Sequence, residues 1–452
     1  MIEKKDLPFL EKITAVRPSS RQIAWQEMEF YGFIHYGINP FLGQEWGNGT
    51  EDPQIFNPKN LDTDQWCKSL KKAGMTGVII TAKHHDGFCL WETKYTNHSV
   101  MHTPYGKDVV AQLAQSCKKF DLKMGIYLSP WDRHEPCYGE GRAYDDFFCN
   151  QLIELLQGYG ELFCLWFDGA CGEGPNGKKQ QYDWARYYAL IREYQPQAVI
   201  SVCGPDVRWC GNEAGHCRSN EWSVVPATMA DNEKIQHGSQ QVDDSDFRER
   251  IPSANEDLGS RQILANHEDL IWYPAEVNTS IRPGWFYHEV EDSKLRSLED
   301  LKRIYLQSVG GNATFLLNIP PHYDGYIAEG DAKRLEELGS WIKTSFKEDL
   351  LQDATYQTLS SEENDNPIII AETREEVRPN YLMLQEEITL GQRIEEFQLS
   401  YWKDGNWNMA CQGTVVGYKC ICWIEDDISS NKWKLEISSC RLGANLKTFK
   451  LY

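Results

Sequence analysis

The feature of this sequence that most restricts its fold is a regular alternation of short apolar runs with amphipathic helical patterns. Such alternation is typical of repeated strand and helix units. Eight runs predict strands at Phe30–Tyr36, Gly77–Ala82, Lys123–Ser129, Leu162–Phe167, Ala198–Cys203, Glu221–Val225, Ala275–Ser280 and Ala313–Ile319. Eight units in roughly three hundred residues match a (β/α)8 barrel. An open doubly wound sheet is the alternative, and the lack of a Gly-x-Gly-x-x-Gly turn after the first strand counts against it.

Helices are predicted between these strands and after the last of them. Amphipathic spacing places them at Thr63–Lys72, Asp108–Phe120, Tyr144–Gly158, Tyr182–Tyr194, Leu298–Val309 and Asp331–Phe346, the last with an N-cap at Gly330-Asp331. The stretch Pro226–Ile271 is polar and too long for a plain connection, so we expect a loop that extends over the barrel mouth. Together these patterns predict a catalytic barrel domain over residues 1–346.

Beyond the barrel the pattern changes to strands alone. Turn signals separate strand-like segments at Pro367–Glu372, Tyr381–Glu386, Phe397–Trp402 and Lys432–Ile437, with Asp404-Gly405 as a hairpin turn. This pattern predicts an all-β sandwich over residues 347–452. We expect this domain to pack against the barrel rather than to bind sugar.

Charge and apolar content exclude several classes of function. A formal net charge of −21 opposes nucleic-acid binding, which needs a basic surface. No stretch approaches the roughly twenty apolar residues of a transmembrane helix, and the N-terminus lacks the apolar run of a signal peptide. We therefore expect a cytoplasmic protein that does not bind membranes, or a secreted or periplasmic one if the sequence has been trimmed. The fourteen cysteines are predicted to be mostly free thiols, because so long a chain needs no disulfide framework. The oligomeric state is not predicted.

The predicted strand ends hold the candidate functional residues, because the working side chains of a (β/α)8 barrel follow its strands. Polar donors stand beside aromatic rings at Ile34-His35-Tyr36-Gly37, Glu45-Trp46, Lys83-His84-His85-Asp86, Tyr127-Leu128-Ser129, Trp166-Phe167-Asp168 and Arg208-Trp209. A sugar ring requires such donors, an aromatic face and two carboxyl groups flanking the scissile bond. Asp168 and Glu213 can supply that pair.

A metal site is the alternative interpretation of the histidines. His35, His84, His85 and Asp86 could converge on an ion. However, adjacent residues of a strand point to opposite faces, so His84 and His85 would diverge if they continue the strand. We therefore expect no metal and no cofactor. A metal-dependent barrel hydrolase and a non-catalytic carbohydrate-binding barrel remain the alternatives to a glycosidase.

Five motifs at these strand ends carry a resemblance to a known family. They are Phe33-Ile34-His35-Tyr36-Gly37, Lys83-His84-His85-Asp86-Gly87-Phe88, Gly125-Ile126-Tyr127, Trp166-Phe167-Asp168-Gly169 and Leu317-Asn318-Ile319-Pro320-Pro321. In this combination the chain resembles the α-L-fucosidases of glycoside hydrolase family 29 over nearly its whole length. The resemblance implies a retaining, metal-independent exo-hydrolase that removes terminal L-fucose from a fucosylated oligosaccharide or glycoconjugate. A related hexosidase acting on another sugar, such as galactose, stays open.

The resemblance also implies roles for individual residues. The aspartate of Trp-Phe-Asp-Gly, which is Asp168 here, corresponds to the nucleophile. Substrate contacts are expected from His35, Glu45, Trp46, His84, His85, Tyr127, Trp166, Arg208 and Trp285. The segment from Arg208 to Glu213 resembles that of the subgroup selective for α-1,3/1,4 linkages on branched Lewis-type glycans, which implies Glu213 as the acid/base. Glu221 is the rival, although it is expected at the start of a strand and away from the mouth.

Overall fold

Eight parallel β-strands form a barrel, which confirms the predicted (β/α)8 fold. The structure, a computed structural model, describes residues 6–239, 257–360, 366–425 and 427–452. The strands are β1 Phe30–Ile34, β2 Gly77–Lys83, β3 Lys123–Leu128, β4 Leu162–Phe167, β5 Val199–Val202, β6 Arg208–Trp209, β7 Val224–Pro226, β8 Leu270–Trp272, β9 Ala275–Ser280 and β10 Thr314–Asn318. Strands β7 and β8 lie outside the barrel.

The barrel strands pair in the order β5-β4-β3-β2-β1-β10-β9-β6. The two end strands meet where Ser201 pairs with Val207, just before β6, and where the Val202 amide donates to the Val207 carbonyl at 3.0 Å. These contacts bring the ends of the sheet together. Because all eight strands run in one direction, their carboxyl ends open on the same side of the barrel.

Alternate side chains of each strand face the barrel interior or the surrounding helices. The interior contains Tyr31, Phe33, Ile79, Tyr127 and Trp166. The outer layer contains Phe30, Ile34, Ile80, Leu165 and Phe167, which pack against the helices. Both faces of the strands are therefore buried, and this is why most strands can be recognised as nearly continuous apolar runs.

The sixth barrel strand is not the predicted one. Residues Val224–Pro226, which overlap the end of the predicted segment Glu221–Val225, pair antiparallel with Leu270–Trp272 in a separate two-stranded sheet. Arg208–Trp209 takes the sixth place and pairs parallel with β9. A two-residue strand that begins with arginine has no apolar run, so the sequence pattern could not identify it.

Helices surround the barrel. They are α1 Leu7–Ala15, α2 Ser20–Gln26, α3 Asn39–Leu42, α4 Thr63–Lys72, α5 Val109–Phe120, α6 Arg142–Gly158, α7 Trp184–Tyr194, α8 Asn232–Gly238, α9 Arg261–Leu264, α10 Leu298–Ser308 and α11 Glu329–Ser345. Of the predicted mouth loop, residues 240–256 lie outside the described residues, whereas α8, α9 and β8 occupy the described parts. No helix within the described ranges is long and apolar enough to cross a membrane.

Helix α11 begins two residues earlier than predicted, and Asp331 is not its N-cap. Asp331 lies in the first turn, fully buried, and accepts two hydrogen bonds from Arg282, from Nε at 2.8 Å and from Nη2 at 3.0 Å. Arg282 is the second residue after β9, so this ion pair joins α11 to the loop after the strand. The sequence alone does not distinguish a buried aspartate that pairs with arginine from an aspartate that caps a helix, because both occur at the start of a helix.

The C-terminal strands form two antiparallel sheets. They are β11 Thr355–Ser360, β12 Pro367–Val377, β13 Tyr381–Glu386, β14 Ile394–Lys403, β15 Asn406–Gly413, β16 Cys420–Trp423, β17 Ser430–Cys440 and β18 Leu446–Leu451. One sheet has the order β11-β12-β17-β14-β15 and the other β16-β13-β18. Asp404 and Gly405 join β14 to β15 with positive φ angles of 51° and 79°, as a two-residue hairpin turn requires.

Backbone hydrogen bonds tie these sheets to the barrel. The Asn312 amide donates to the Lys419 carbonyl at 2.9 Å, and the Ile421 amide donates to the Gly310 carbonyl at 2.8 Å. The Lys419 ammonium also pairs with Glu29, just before β1. All fourteen cysteines are free thiols.

The buried pair between Arg282 and Asp331 provides a test of the fold. Replacing Asp331 by alanine leaves a buried guanidinium without its main partner, so we expect the free energy of unfolding to fall by about 3–5 kcal/mol. Glu336, on the same helix, pairs with Lys72 at the surface, and Glu336→Ala should cost less than about 1 kcal/mol. Urea denaturation followed by tryptophan fluorescence measures both. Equal losses in the two variants would contradict the role given to Asp331.

Candidate active site

A pocket opens at the carboxyl ends of the barrel strands and occupies about 570 Å³, counting its mouth. Eight of the predicted site residues line it, namely His35, Trp46, His84, His85, Trp166, Asp168, Glu213 and Trp285. Rings surround a small number of polar groups, an arrangement typical of sites for small ligands. Ser239, from the part of the mouth loop that is described, also reaches this pocket.

Asp168 follows β4 and presents its carboxylate to the pocket with 23% of the side chain exposed. Its Oδ2 accepts a hydrogen bond from the Tyr127 hydroxyl at 2.9 Å, and its Oδ1 accepts one from the Ala170 amide at 2.8 Å. Burial raises the pKa of Asp168, whereas these hydrogen bonds act in the opposite direction. The carboxylate is thus oriented by two donors before any ligand arrives.

His84 and His85 both face the pocket, with ring centroids 4.1 Å apart. Their divergence was expected only if they continued the strand, and they do not, because β2 ends at Lys83. Beyond that residue the backbone no longer alternates between two faces. The Lys83 ammonium lies 2.8 Å from a carboxylate oxygen of buried Asp132, which anchors the point where the chain leaves the strand.

Hydrogen bonds fix the tautomers of two histidines. His35 Nδ1 lies 2.8 Å from the Asn318 amide oxygen, so this nitrogen carries the proton and donates. His85 Nδ1 lies 2.7 Å from the Ser129 hydroxyl, which donates its own proton to the Trp131 carbonyl at 2.7 Å and therefore accepts from His85. In both rings Nε2 is left as an acceptor.

Burial also keeps these rings neutral. It lowers the pKa of His35 to about 3, and burial together with Arg133 lowers the pKa of His85 to about 3. Burial lowers the pKa of His84 well below its ordinary value as well. His85 Nε2 lies 3.9 Å from Asp168 Oδ2, but a neutral ring forms no ion pair with that carboxylate. The pocket therefore offers neutral acceptors to hydroxyl donors.

The buried carboxylate of Glu45 helps to position two tryptophans of the pocket. Trp285 packs against His35 with centroids 5.0 Å apart, and Trp46 makes an edge contact with His85 at 5.2 Å. Glu45 does not line the pocket. Its carboxylate accepts a hydrogen bond from the Trp285 backbone amide at 2.7 Å and lies 2.6 Å from His288 Nε2. Because Glu45 directly precedes Trp46 in the chain, these contacts hold the loop of Trp285 beside Trp46.

Trp166 forms a wall of the pocket and is fixed from inside the barrel. Its indole Nε1 donates to the Glu276 carboxylate at 2.7 Å, and the Tyr31 hydroxyl donates to the other carboxylate oxygen at 2.5 Å. The Trp166 ring stacks on Tyr127 at 5.3 Å. Burial raises the pKa of Glu276 to about 7. A chain of contacts thus leads from the barrel interior to the donor that holds Asp168.

The two candidate acid/base residues lie in different surroundings. Glu213 lines the pocket with Asp168, on the loop after β6. Glu221 is 1% exposed and pairs with Arg208 and, at 3.7 Å, with Arg218. Arg208 also donates through Nε to the Tyr273 carbonyl at 2.9 Å and does not line the pocket. Neither Glu221 nor Arg208 therefore reaches the space in front of Asp168.

Sequence reasoning missed Asn278, which lines the pocket, and the buried Glu276, which holds the pocket residue Trp166. Asn278 lines the pocket and accepts a hydrogen bond from the Trp209 indole at 2.9 Å. A signal was present, because Glu276, Asn278 and Ser280 alternate with Val277 and Thr279 along β9. Polar residues at every second position of a barrel strand indicate that its inner face meets a site.

The histidines at these strand ends are the candidate ligands of the alternative metal site. Across the ranges that the structure describes, no three His, Cys, Asp or Glu side chains are grouped so that they could hold an ion. The histidine nitrogens near Asp168 instead bond to Asn318 and Ser129, as described above.

A family model described as α-L-fucosidase matches residues 21–346. Among curated proteins, α-L-fucosidase 1 of Arabidopsis thaliana is 38% identical over an alignment of 466 positions, which covers 96% of this chain and 87% of the plant protein. The match thus extends through the barrel and into the C-terminal sheets.

Solved structures give the same result. A glycoside hydrolase 29 family member from an unknown rumen bacterium superposes with a TM-score of 0.81 at 35% identity, covering 97% of this chain and 77% of that one. A Ruminococcus gnavus GH29 fucosidase in complex with fucose superposes with a TM-score of 0.81 at 27% identity, covering 97% of this chain and 95% of that one.

Glu276 gives a test of the electrostatics beneath the pocket. Its pKa of about 7 lies above the ordinary 4.5, so the folded protein keeps a proton that the unfolded chain releases between these values. The contribution of Glu276 to stability is therefore lost as the pH rises from 4.5 through 7. Glutamine does not titrate, so the free energy of unfolding of Glu276→Gln, relative to that of the wild type, should rise by up to about 3 kcal/mol over that interval. Urea denaturation across this range tests the prediction, and a pH-independent difference would contradict it.

Proposed function

This chain belongs to the α-L-fucosidase family, glycoside hydrolase family 29, and we propose that it removes α-1,3/1,4-linked terminal L-fucose from branched Lewis-type glycans with retention of configuration. The family makes it a glycoside hydrolase. The observation that carries the mechanistic part is a single pocket in which two carboxylates, Asp168 and Glu213, meet neutral histidines and aromatic rings.

Asp168 is the proposed nucleophile. Its carboxylate lies at the end of a barrel strand, where catalytic groups of this fold belong. Donors from Tyr127 and Ala170 hold both oxygens, which favours the ionised form that attack requires. The Tyr127 hydroxyl can also stabilise the carboxylate again when the bond to the sugar breaks.

Glu213 is the proposed general acid and base. It shares the pocket with Asp168, whereas Glu221 is committed to Arg208 and Arg218 in a buried ion pair. A general acid must reach the leaving oxygen, and a carboxylate neutralised by buried arginines is poorly suited to give or take a proton. These contacts support Glu213 over its rival.

The reaction then follows the two steps of a retaining glycosidase. In the first step a carboxylate oxygen of Asp168 forms a bond to the anomeric carbon while the bond to the leaving oxygen breaks and Glu213 gives that oxygen its proton. In the second step water attacks the anomeric carbon, Glu213 takes a proton from this water, and the bond to Asp168 breaks. Two inversions leave the configuration of the released fucose unchanged.

The rest of the pocket suits a deoxyhexose. Neutral His35 and His85 present Nε2 acceptors to sugar hydroxyls, and the indole rings of Trp166 and Trp285 provide apolar surface for the ring and its methyl group. The R. gnavus fucosidase, similar in fold over nearly its whole length, was solved with fucose bound. The linkage preference rests on the resemblance of the segment from Arg208 to Glu213.

The roles of the carboxylates can be separated by azide rescue. Asp168→Ala should fold and lose nearly all turnover, on the order of 10⁴-fold or more, because the covalent path is removed. Glu213→Ala should form the fucosyl-enzyme from a reactive substrate such as fucosyl fluoride but hydrolyse it slowly. Added azide should then yield α-fucosyl azide with Glu213→Ala and β-fucosyl azide with Asp168→Ala, as identified by NMR.

Glu221→Ala is the matched control for the acid/base. It removes a carboxylate eight residues away, and we expect no azide product from it. Formation of α-fucosyl azide by Glu221→Ala, and not by Glu213→Ala, would reverse the assignment.

The linkage proposal is tested with a panel of substrates. An aryl fucoside, 2′-fucosyllactose and a branched Lewis-type trisaccharide are incubated with equal amounts of enzyme, and released fucose is measured. Cleavage of the trisaccharide in strong preference to the other two is expected. Preferred cleavage of 2′-fucosyllactose would contradict the linkage while leaving the family activity intact.

A further inference from the structure

The loop that carries Glu213 is fastened to the neighbouring strand by a buried threonine. Thr279, in β9, is fully buried, and its hydroxyl donates to the backbone carbonyl of Glu213 at 2.7 Å. The next residue, Ala214, pairs with Thr279 in a single antiparallel bridge. The backbone that directly follows the Glu213 Cα is therefore tied to one residue of the barrel.

Arg296 fixes the direction of that hydroxyl. Its Nη2 donates to the Thr279 oxygen at 2.7 Å, so the threonine proton is directed at the Glu213 carbonyl. The same nitrogen donates to the Ala214 carbonyl at 3.3 Å. Arg296 is itself held, since its Nε donates to the Ser280 carbonyl at 2.9 Å and its Nη1 lies 2.6 Å from Asp300.

The alternation of β9 links this contact to the pocket. Asn278 points inward and lines the pocket, while Thr279, the next residue, points outward to the loop. One rigid strand therefore sets the relative positions of a pocket wall and of the Glu213 backbone. A side chain on a loop gains precision when its backbone is fastened to the scaffold in this way.

We propose that Thr279, oriented by Arg296, is a positioning residue that places the Glu213 carboxyl for proton transfer to the leaving oxygen. The proposal rests on the proposed function, because it requires Glu213 to be the general acid. Loss of the hydroxyl should therefore weaken acid assistance and leave the attack by Asp168 unchanged. A purely structural role would weaken both.

The test compares two leaving groups in the same enzyme preparation. The Lewis-type trisaccharide has a poor leaving group that needs the acid, whereas fluoride leaves fucosyl fluoride with little protonation. Thr279→Val keeps the shape and removes the hydroxyl, and the ratio of kcat/KM for fluoride over trisaccharide should rise about tenfold or more. Because both constants refer to the same active enzyme, their ratio does not depend on how much of the variant has folded.

Three further variants complete the experiment. Thr279→Ser restores the hydroxyl and should return the ratio to the wild-type value. Glu213→Gln should raise the ratio more than Thr279→Val does. Thr63→Val removes another buried threonine hydroxyl, one that bonds to Ser116 between two outer helices, and should leave the ratio unchanged.

The outcomes separate this inference from the proposed function. If Glu213→Gln raises the ratio and Thr279→Val does not, the positioning role is wrong while the acid assignment stands. If Glu213→Gln leaves the ratio unchanged, the acid assignment fails and the inference fails with it. A raised ratio in Thr279→Val that Thr279→Ser reverses supports the positioning role.

Discussion

Parallel pairing of the eight barrel strands is the constraint on which the geometry of the site depends. It brings the residues that follow each strand to the same end of the barrel. Asp168 after β4 therefore lies close to the histidines after β2 and to Tyr127 of β3, which donates a hydrogen bond to it. Closure depends on the short strand β6, which also positions the loop of Glu213. The residues of the site thus lie on short segments that the rigid barrel holds in place.

Burial of the titratable groups is the second property that makes the pocket suitable for its reaction. Burial lowers the pKa of His35 and His85, so these rings stay neutral and accept hydrogen bonds from hydroxyls. The same burial raises the pKa of Asp168, while the hydrogen bond from Tyr127 acts in the opposite direction. The balance of solvation against directed donors therefore sets the protonation of each group, and Glu276 extends that balance into the barrel interior.

Local patterns predicted much of the fold because strands buried on both faces are recognisable as apolar runs. They failed where a residue acts through a distant partner. Arg208 was expected in the pocket as a polar residue beside a ring, but it pairs with Glu221 below the loop. His84 and His85 were expected to diverge only if they continued the strand, but β2 ends at Lys83 and both face the pocket. Asn278 was overlooked, although its place in the alternation of β9 was visible.

The sequence by itself determined most of the barrel strands and their helices, the change to an all-β domain and the motifs that identify the family, since these depend on residue types at short spacing. Only the tertiary structure decided which carboxylates share a pocket and which are neutralised by buried arginines. Glu213 and Glu221 stand eight residues apart in similar polar surroundings. Their difference arises from contacts with Thr279, Arg208 and Arg218, and hydrogen bonds and ion pairs between distant segments leave no periodic trace in the chain.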